Sequence, residues 1–277
     1  MSPFAYKKRK KMRKETVKSF IDRLQSRGRY SFMKKEVFSN LNISSDAVKK
    51  TLSRMETKGR IVMIRRGFYV IVPLEYIESG ILPPSWFIDQ LMNFLKHPYY
   101  VGLLSAAALE GAAHQQPQQF QVVTDRQVRP ITINGLSIRF IVKKEFPLLD
   151  ELKRIKTRTG YMWTSEPELT AIDLLRYIGP AGGMNHVSTL LLELGEKVRL
   201  ARLVMAAKKE KNLVYNQRLG FILDYVGHEK KTVKLAQWIK KKKPCRVLLD
   251  PGKPKGNAEF NEKWSIFVNR RIEVDEL

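Results

Sequence analysis

A chain of 277 residues, 43% of them hydrophobic, is long enough to bury a substantial core and to form two domains. Its formal net charge of +24, from 51 Lys/Arg against 27 Asp/Glu, favours a polyanionic partner, and nucleic acid is the usual one. The single cysteine, Cys245, excludes an internal disulfide and a thiolate metal cluster, and no apolar run approaches the ~20 residues that span a bilayer, so the expected setting is a reducing cytoplasm without membrane contact.

Residues 1–14 hold seven Lys/Arg with no periodicity and no following apolar stretch, so they read as a disordered basic arm, with a phosphate-binding or a merely solvated role, and not as a secretory signal. More than half of the excess charge lies early: residues 1–75 carry 20 Lys/Arg against 6 Asp/Glu, a net +14. Val17, Phe20, Ile21 and Leu24 have helical spacing and predict an amphipathic first helix. A short helix is then expected over Phe32 to Phe38, carrying Lys34 and Lys35, followed by a turn over Asn40 to Ile43.

The next helix, Ser45 to Lys58, sorts by face. Ser44 is placed to cap it and Asp46 to complement its positive end. Val48, Thr51, Leu52 and Met55 face one way, leaving Ser45, Asp46, Lys49, Lys50, Ser53 and Arg54 on the outer side. Lys58-Gly59 stops the helix, and the β-rich runs Ile61 to Ile64 and Phe68 to Ile71 form a hairpin through Arg65-Arg66-Gly67. That order is the one found in a winged helix-turn-helix, whose second helix enters the major groove while the paired arginines of the wing contact backbone or minor groove. The same pattern also serves tri-helical cores used only for protein contact.

Gly80 and Pro83-Pro84 mark a boundary, after which Ser85 is placed to cap a helix with Phe87, Leu91 and Leu95 inward, ending at His97-Pro98. Trp86, Phe87 and Phe94 are core candidates before they are base-stacking platforms. Ser105 reads as the cap of a small-residue helix that Gly111 ends, and Gln121 to Thr124 as a strand. Ile131 to Ile133 and Leu136 to Val142 predict a hairpin, because Asn134-Gly135 supplies the two positive φ angles of a type I′ turn. Tyr161 to Trp163 reads as a strand, and Ser165-Glu166-Pro167-Glu168 as a capping box opening a helix with Leu169, Ile172, Leu175 and Ile178. Three or four more helices are expected between Asn185 and Lys242, then two short strands, Arg246 to Leu249 and Trp264 to Val268, around a Pro/Gly-rich loop.

No constellation for catalysis emerges. Gly179-Pro180-Ala181-Gly182-Gly183 lacks the Gly-Lys-Ser/Thr ending of a phosphate loop and reads as a helix break. His97, His114, His186 and His228 have no ligand partner at metal spacing, and Asp173 lacks a second carboxylate, which suits a helix-surface or buried hydrogen-bonding role. Neither catalytic residue, cofactor nor metal is expected. Lys240 to Lys243 complements a helix C-terminus, with a second nucleic-acid contact or a docking face for an acidic partner as sharper alternatives.

Three stretches together resemble the AbiEi-type antitoxins of type IV toxin–antitoxin systems, over about residues 16 to 270. They are Ala47, Val48, Leu52, Lys58-Gly59 and Arg66-Gly67-Phe68-Tyr69; Tyr100 to Ala107 with Gly111, His114-Gln115, Pro117 and Val122 to Thr124; and Ser165 to Glu168 with Asp173-Leu174-Leu175, Leu249-Asp250-Pro251 and Lys263-Trp264. Leu109-Glu110 before the glycine and the long basic arm depart from the family's pattern. The resemblance implies an α+β chain: an N-terminal winged helix-turn-helix over 15–80, after the arm of 1–14, then a mixed α/β antitoxin domain over 85–277 with antiparallel strands and a helical C-terminal part. It further implies a non-enzymatic autorepressor that binds inverted repeats of double-stranded DNA in its own promoter. The same protein would neutralise a cognate nucleotidyltransferase-like toxin, with or without direct contact. The rival reading is a basic DNA- or RNA-binding protein without sequence preference or antitoxin activity.

Overall fold

The computed structural model describes residues 15–41, 43–112, 117–147 and 149–274, and the chain divides into two compact units after Phe94. The basic arm of residues 1–14, His114 and Asn42 of the expected turn lie outside the described residues.

The first unit begins with α1 (Val17–Ser26), whose Thr16 hydroxyl accepts the Ser19 N–H and whose Val17, Phe20, Ile21 and Leu24 are buried. Where the sequence predicts one short helix from Phe32, the chain first forms β1 (Ser31–Met33) and only then α2 (Lys34–Asn40). The reason is a long-range pairing: Phe32 lies opposite Tyr69 in an antiparallel ladder, and their rings stack at 5.3 Å. Glu36 fixes the strand-to-helix junction, its carboxylate accepting the Met33 N–H at 2.6 Å and the Arg29 guanidinium at 2.7 Å.

The helix α3 (Ser45–Thr57) follows, with Ser44 Oγ accepting the Ala47 N–H at 3.3 Å, a cap worth about 1 kcal/mol. Val48, Leu52 and Met55 are buried, while the Thr51 hydroxyl donates to the Ala47 carbonyl. The strands β2 (Ile61–Arg65) and β3 (Phe68–Ile71) complete an antiparallel sheet of order β1-β3-β2. Gly67, at φ +90°, makes their turn in a conformation that a side chain would strain.

After a 3-10 turn over Pro84–Trp86 comes α4 (Ile88–Leu95). Ser85 lies in that turn and is not the cap expected of it. The aromatic segment sits with the first unit: Trp86 packs edge-on to Tyr30 and Tyr76, and Phe94 against Phe68 at 5.5 Å.

The second unit is built on β4 (Tyr99–Val101), β5 (Phe120–Thr124), β6 (Ile131–Ile133), β7 (Leu136–Val142), β8 (Leu152–Thr157) and β9 (Gly160–Ser165), in the order β6-β7-β5-β4-β9-β8. The sheet is mixed, since β5 pairs with β7 and β4 with β9 in parallel, so antiparallel pairing describes only part of it. Asn134 and Gly135 both have positive φ at the β6–β7 turn, as their dipeptide predicts. Between β4 and β5, α5 (Leu103–Leu109) starts two residues before Ser105. The Ser105 hydroxyl is no cap because it accepts the buried Gln121 N–H at 2.8 Å.

Five helices follow: α6 (Pro167–Arg176), α7 (Met184–Lys197), α8 (Leu200–Lys209), α9 (Leu213–Tyr225) and α10 (Glu229–Lys241). Pro167 opens α6, but the capping box is absent: Glu168 instead accepts the Arg199 N–H at 2.8 Å, and Ser165 bonds Thr170 at 2.6 Å. The glycine-rich segment breaks the chain between α6 and α7. Leu169, Ile172, Leu191, Leu194, Leu219 and Ile222 form the helical core with Tyr100 and Val123 of the sheet. A small sheet of β10 (Val247–Leu248), β11 (Glu259–Asn261) and β12 (Ile266–Val268), ordered β10-β12-β11, closes the chain, with Trp264 fully buried against Gly220. The overall class is α+β.

Candidate nucleic-acid interface

Burial of Val48, Leu52 and Met55 turns the opposite face of α3 outward, so that Ser45, Asp46, Lys49, Lys50, Ser53 and Arg54 are all exposed. Asp46 and Lys49 approach to 3.4 Å, an exposed pair that solvent screens and a phosphate can displace. The hairpin is tied to this helix because the Met63 N–H donates to the Glu56 carboxylate at 3.3 Å and the Arg60 N–H to the Met55 carbonyl at 3.0 Å.

At the hairpin turn Arg65 is half-buried and Arg66 exposed. The Lys34 N–H donates to the Gly67 carbonyl at 2.8 Å, which brings the start of α2, with Lys34 and exposed Lys35, to the arginine turn. The Lys34 ammonium lies over the Phe38 ring at 5.8 Å. Ser44 is exposed, but its hydroxyl is committed to the cap.

Sequence reasoning missed three features of this unit: β1, the Glu36 clasp, and Met63, a large apolar side chain left 39% exposed beside the helix. No sequence signal marks Met63, because Ile61 to Ile64 is apolar throughout and Ile61, in the same strand phase, is fully buried.

The second unit holds a buried polar cluster of different character. Asp173 on α6 is fully buried, accepting the Tyr100 hydroxyl at 2.6 Å on one oxygen and the Lys143 ammonium at 2.7 Å on the other. Burial first, and the neighbouring carboxylate second, push the Tyr100 phenol well above its ordinary pKa. Tyr177, whose hydroxyl donates to the Val142 carbonyl, is likewise raised to about 12 by burial and then by Asp173. Asp173 therefore has the buried hydrogen-bonding role, and Lys143 is the partner that sequence spacing could not reveal.

A cavity of about 330 Å³ lies next to this cluster, with Phe146, Leu169 and Ile172 in its wall. Its cations are matched by acids, Arg176 with Glu210 at 2.7 Å and Lys211 with Glu145 at 2.7 Å. Among the histidines, His228 Nε2 meets the Leu192 carbonyl at 2.7 Å and His97 lies 3.3 Å from Asp125; no group of metal-ligating side chains occurs among the described residues. Glu110, where the sequence departs from the family pattern, pairs with Lys153 on β8. No helix among the described residues is long and apolar enough to cross a membrane.

Fold and surface together define a basic α+β protein of two units, the second organised on a mixed sheet with a helical layer. Residues 100–225 match the family model of the AbiEi antitoxin C-terminal domain, and the resemblance read from the sequence is borne out over that stretch. In fold, the chain is similar to the crystal structure of RV2827C protein from Mycobacterium tuberculosis, with a TM-score of 0.63, 13% identity and 89% of each chain covered. No curated protein matches it in sequence.

Proposed function

We propose that the chain is the antitoxin of a type IV toxin–antitoxin system and represses its own operon by binding DNA through a winged helix-turn-helix in the first unit. The antitoxin role rests on the family match over residues 100–225. The DNA-binding role rests on one observation above others: the outward face of α3 is exposed, polar and basic, beside a hairpin whose turn is Arg65-Arg66-Gly67. In this reading α3 lies in the major groove, where Ser45, Asp46, Lys49, Lys50 and Ser53 meet base edges and Arg54 the backbone, while Arg65 and Arg66 reach backbone or minor groove and Lys34 and Lys35 add phosphate contacts.

In the same reading the DNA-binding domain expected over 15–80 falls within the first unit, and the antitoxin domain, expected over 85–277, takes up the second unit, which begins after Phe94. The toxin partner is a nucleotidyltransferase-like protein encoded beside this chain. Co-expression separates the two activities. A K49A/K50A variant should release a promoter reporter while still rescuing growth from the neighbouring toxin, and a chain that rescues nothing in its native form refutes the antitoxin reading.

A further inference from the structure

C-terminal to the family-matched stretch, residues 240–271 hold ten Lys/Arg against three Asp/Glu, a net +7. Asp250 is occupied by Arg270 at 2.9 Å, and Lys263 by Asp224 at 2.5 Å. Lys240 to Lys243, Arg246, Lys253 and Lys255 are exposed and form no ion pair among the described residues. A helix C-terminus accounts for cations at the end of α10. It does not account for Arg246 and Lys255, which come from other segments and converge on two rings.

Those rings are Phe260 on β11 and Phe267 on β12, opposite each other in the antiparallel register and 4.9 Å apart. The Arg246 guanidinium lies 4.9 Å over Phe260 and the Lys255 ammonium 3.8 Å over Phe267. Along β12 side chains alternate, so that Ile266 is fully buried while Phe267 turns to the other face and stays partly exposed. An outward aromatic pair under two cations, flanked by a lysine run, offers stacking surface and phosphate neutralisation together.

We propose that this outer sheet face binds a single-stranded nucleic acid, with Phe260, Phe267 and Arg246 stacking on unpaired bases while Lys240 to Lys243, Lys253 and Lys255 follow the phosphates. A duplex keeps its bases stacked internally and has no use for the rings. An acidic peptide would use the cations and not the rings.

The test is fluorescence anisotropy of the full-length protein with a labelled RNA strand, the DNA strand of the same sequence, and the corresponding duplex, with polyglutamate as competitor. F260L/F267L keeps the charge and should weaken single-strand binding about tenfold, the scale of lost base stacking, with duplex affinity unchanged. R246Q/K255Q, both at exposed positions, should weaken it similarly and flatten the salt dependence. The two strands distinguish RNA from DNA as the ligand. Variants that bind a single strand like the native protein overturn the proposal, as does a native protein that holds polyglutamate or duplex equally well on this face. R65A/R66A leaves this affinity intact, so a failed operator assignment is separately visible.

Discussion

Replacing Lys143 by methionine isolates the buried Asp173 cluster. Lys143 is 5% exposed and Asp173 0%, so K143M leaves a carboxylate in the core with the Tyr100 hydroxyl as its remaining side-chain partner. Removing one member of a buried pair costs about 3–5 kcal/mol, because the uncompensated charge stays buried. Three of the four tryptophans, Trp163, Trp238 and Trp264, belong to the second unit, so intrinsic emission reports its unfolding. With a urea m-value of roughly 2.5 kcal/mol/M, the expected fall in midpoint is about 1–2 M. In K143M/D173L/Y100F no charge or hydroxyl remains unpaired, and most of that loss should return, to within about 1 kcal/mol of the native chain. A K143M midpoint within about 0.3 M of native, or a triple variant no better than the single, refutes the reasoning.

Three further outcomes follow from the geometry. In G220A a new Cβ would sit 2.1 Å from Trp264 Cζ3, so the ring must move and the Trp264 N–H bond to Asp224 (2.7 Å) is strained; a loss of about 1–3 kcal/mol and a red shift in tryptophan emission are expected. Tyr100 and Tyr177 have folded pKa values raised above that of the unfolded chain, so their stabilising effect is complete below about pH 10 and lost as pH rises through the folded values; spectrophotometric titration should find Tyr177 silent until about pH 12 and Tyr100 silent well past the ordinary phenol range. R65A/R66A should weaken binding to operator and unrelated duplexes alike and reduce the salt slope by about 1–2, as measured by anisotropy, whereas S53A should act mainly on sequence preference.

What could be read in the sequence was the local part of the fold. Helix α3 was legible because its apolar residues recur at 3–4 spacing between a Ser cap and a Gly stop, and the β6–β7 turn because Asn134-Gly135 has few other uses. Strand β1 was not, since Ser31–Met33 becomes extended only by pairing with β3 some 37 residues away in the register Phe32↔Tyr69. Strand β8, Leu152–Thr157, carries two lysines and an arginine at the sheet edge, a composition that suppresses further pairing and hides its strand character. The Lys143–Asp173 pair spans 30 residues, and the Ser165–Glu168 box was diverted because Arg199 offered Glu168 a tertiary partner. Local chemistry thus placed the candidate groove helix, while tertiary contacts decided the polar core.

Whether the first unit reads a particular duplex is tested most directly by titrating the full-length protein with the DNA immediately upstream of its own gene and with a scrambled duplex of equal composition, from low to physiological salt. A preference of at least about a thousandfold that persists as salt rises is expected, because base contacts lose little to counterions while backbone contacts lose much. Equal affinities falling together with salt would contradict it and leave a basic protein that binds DNA by charge alone.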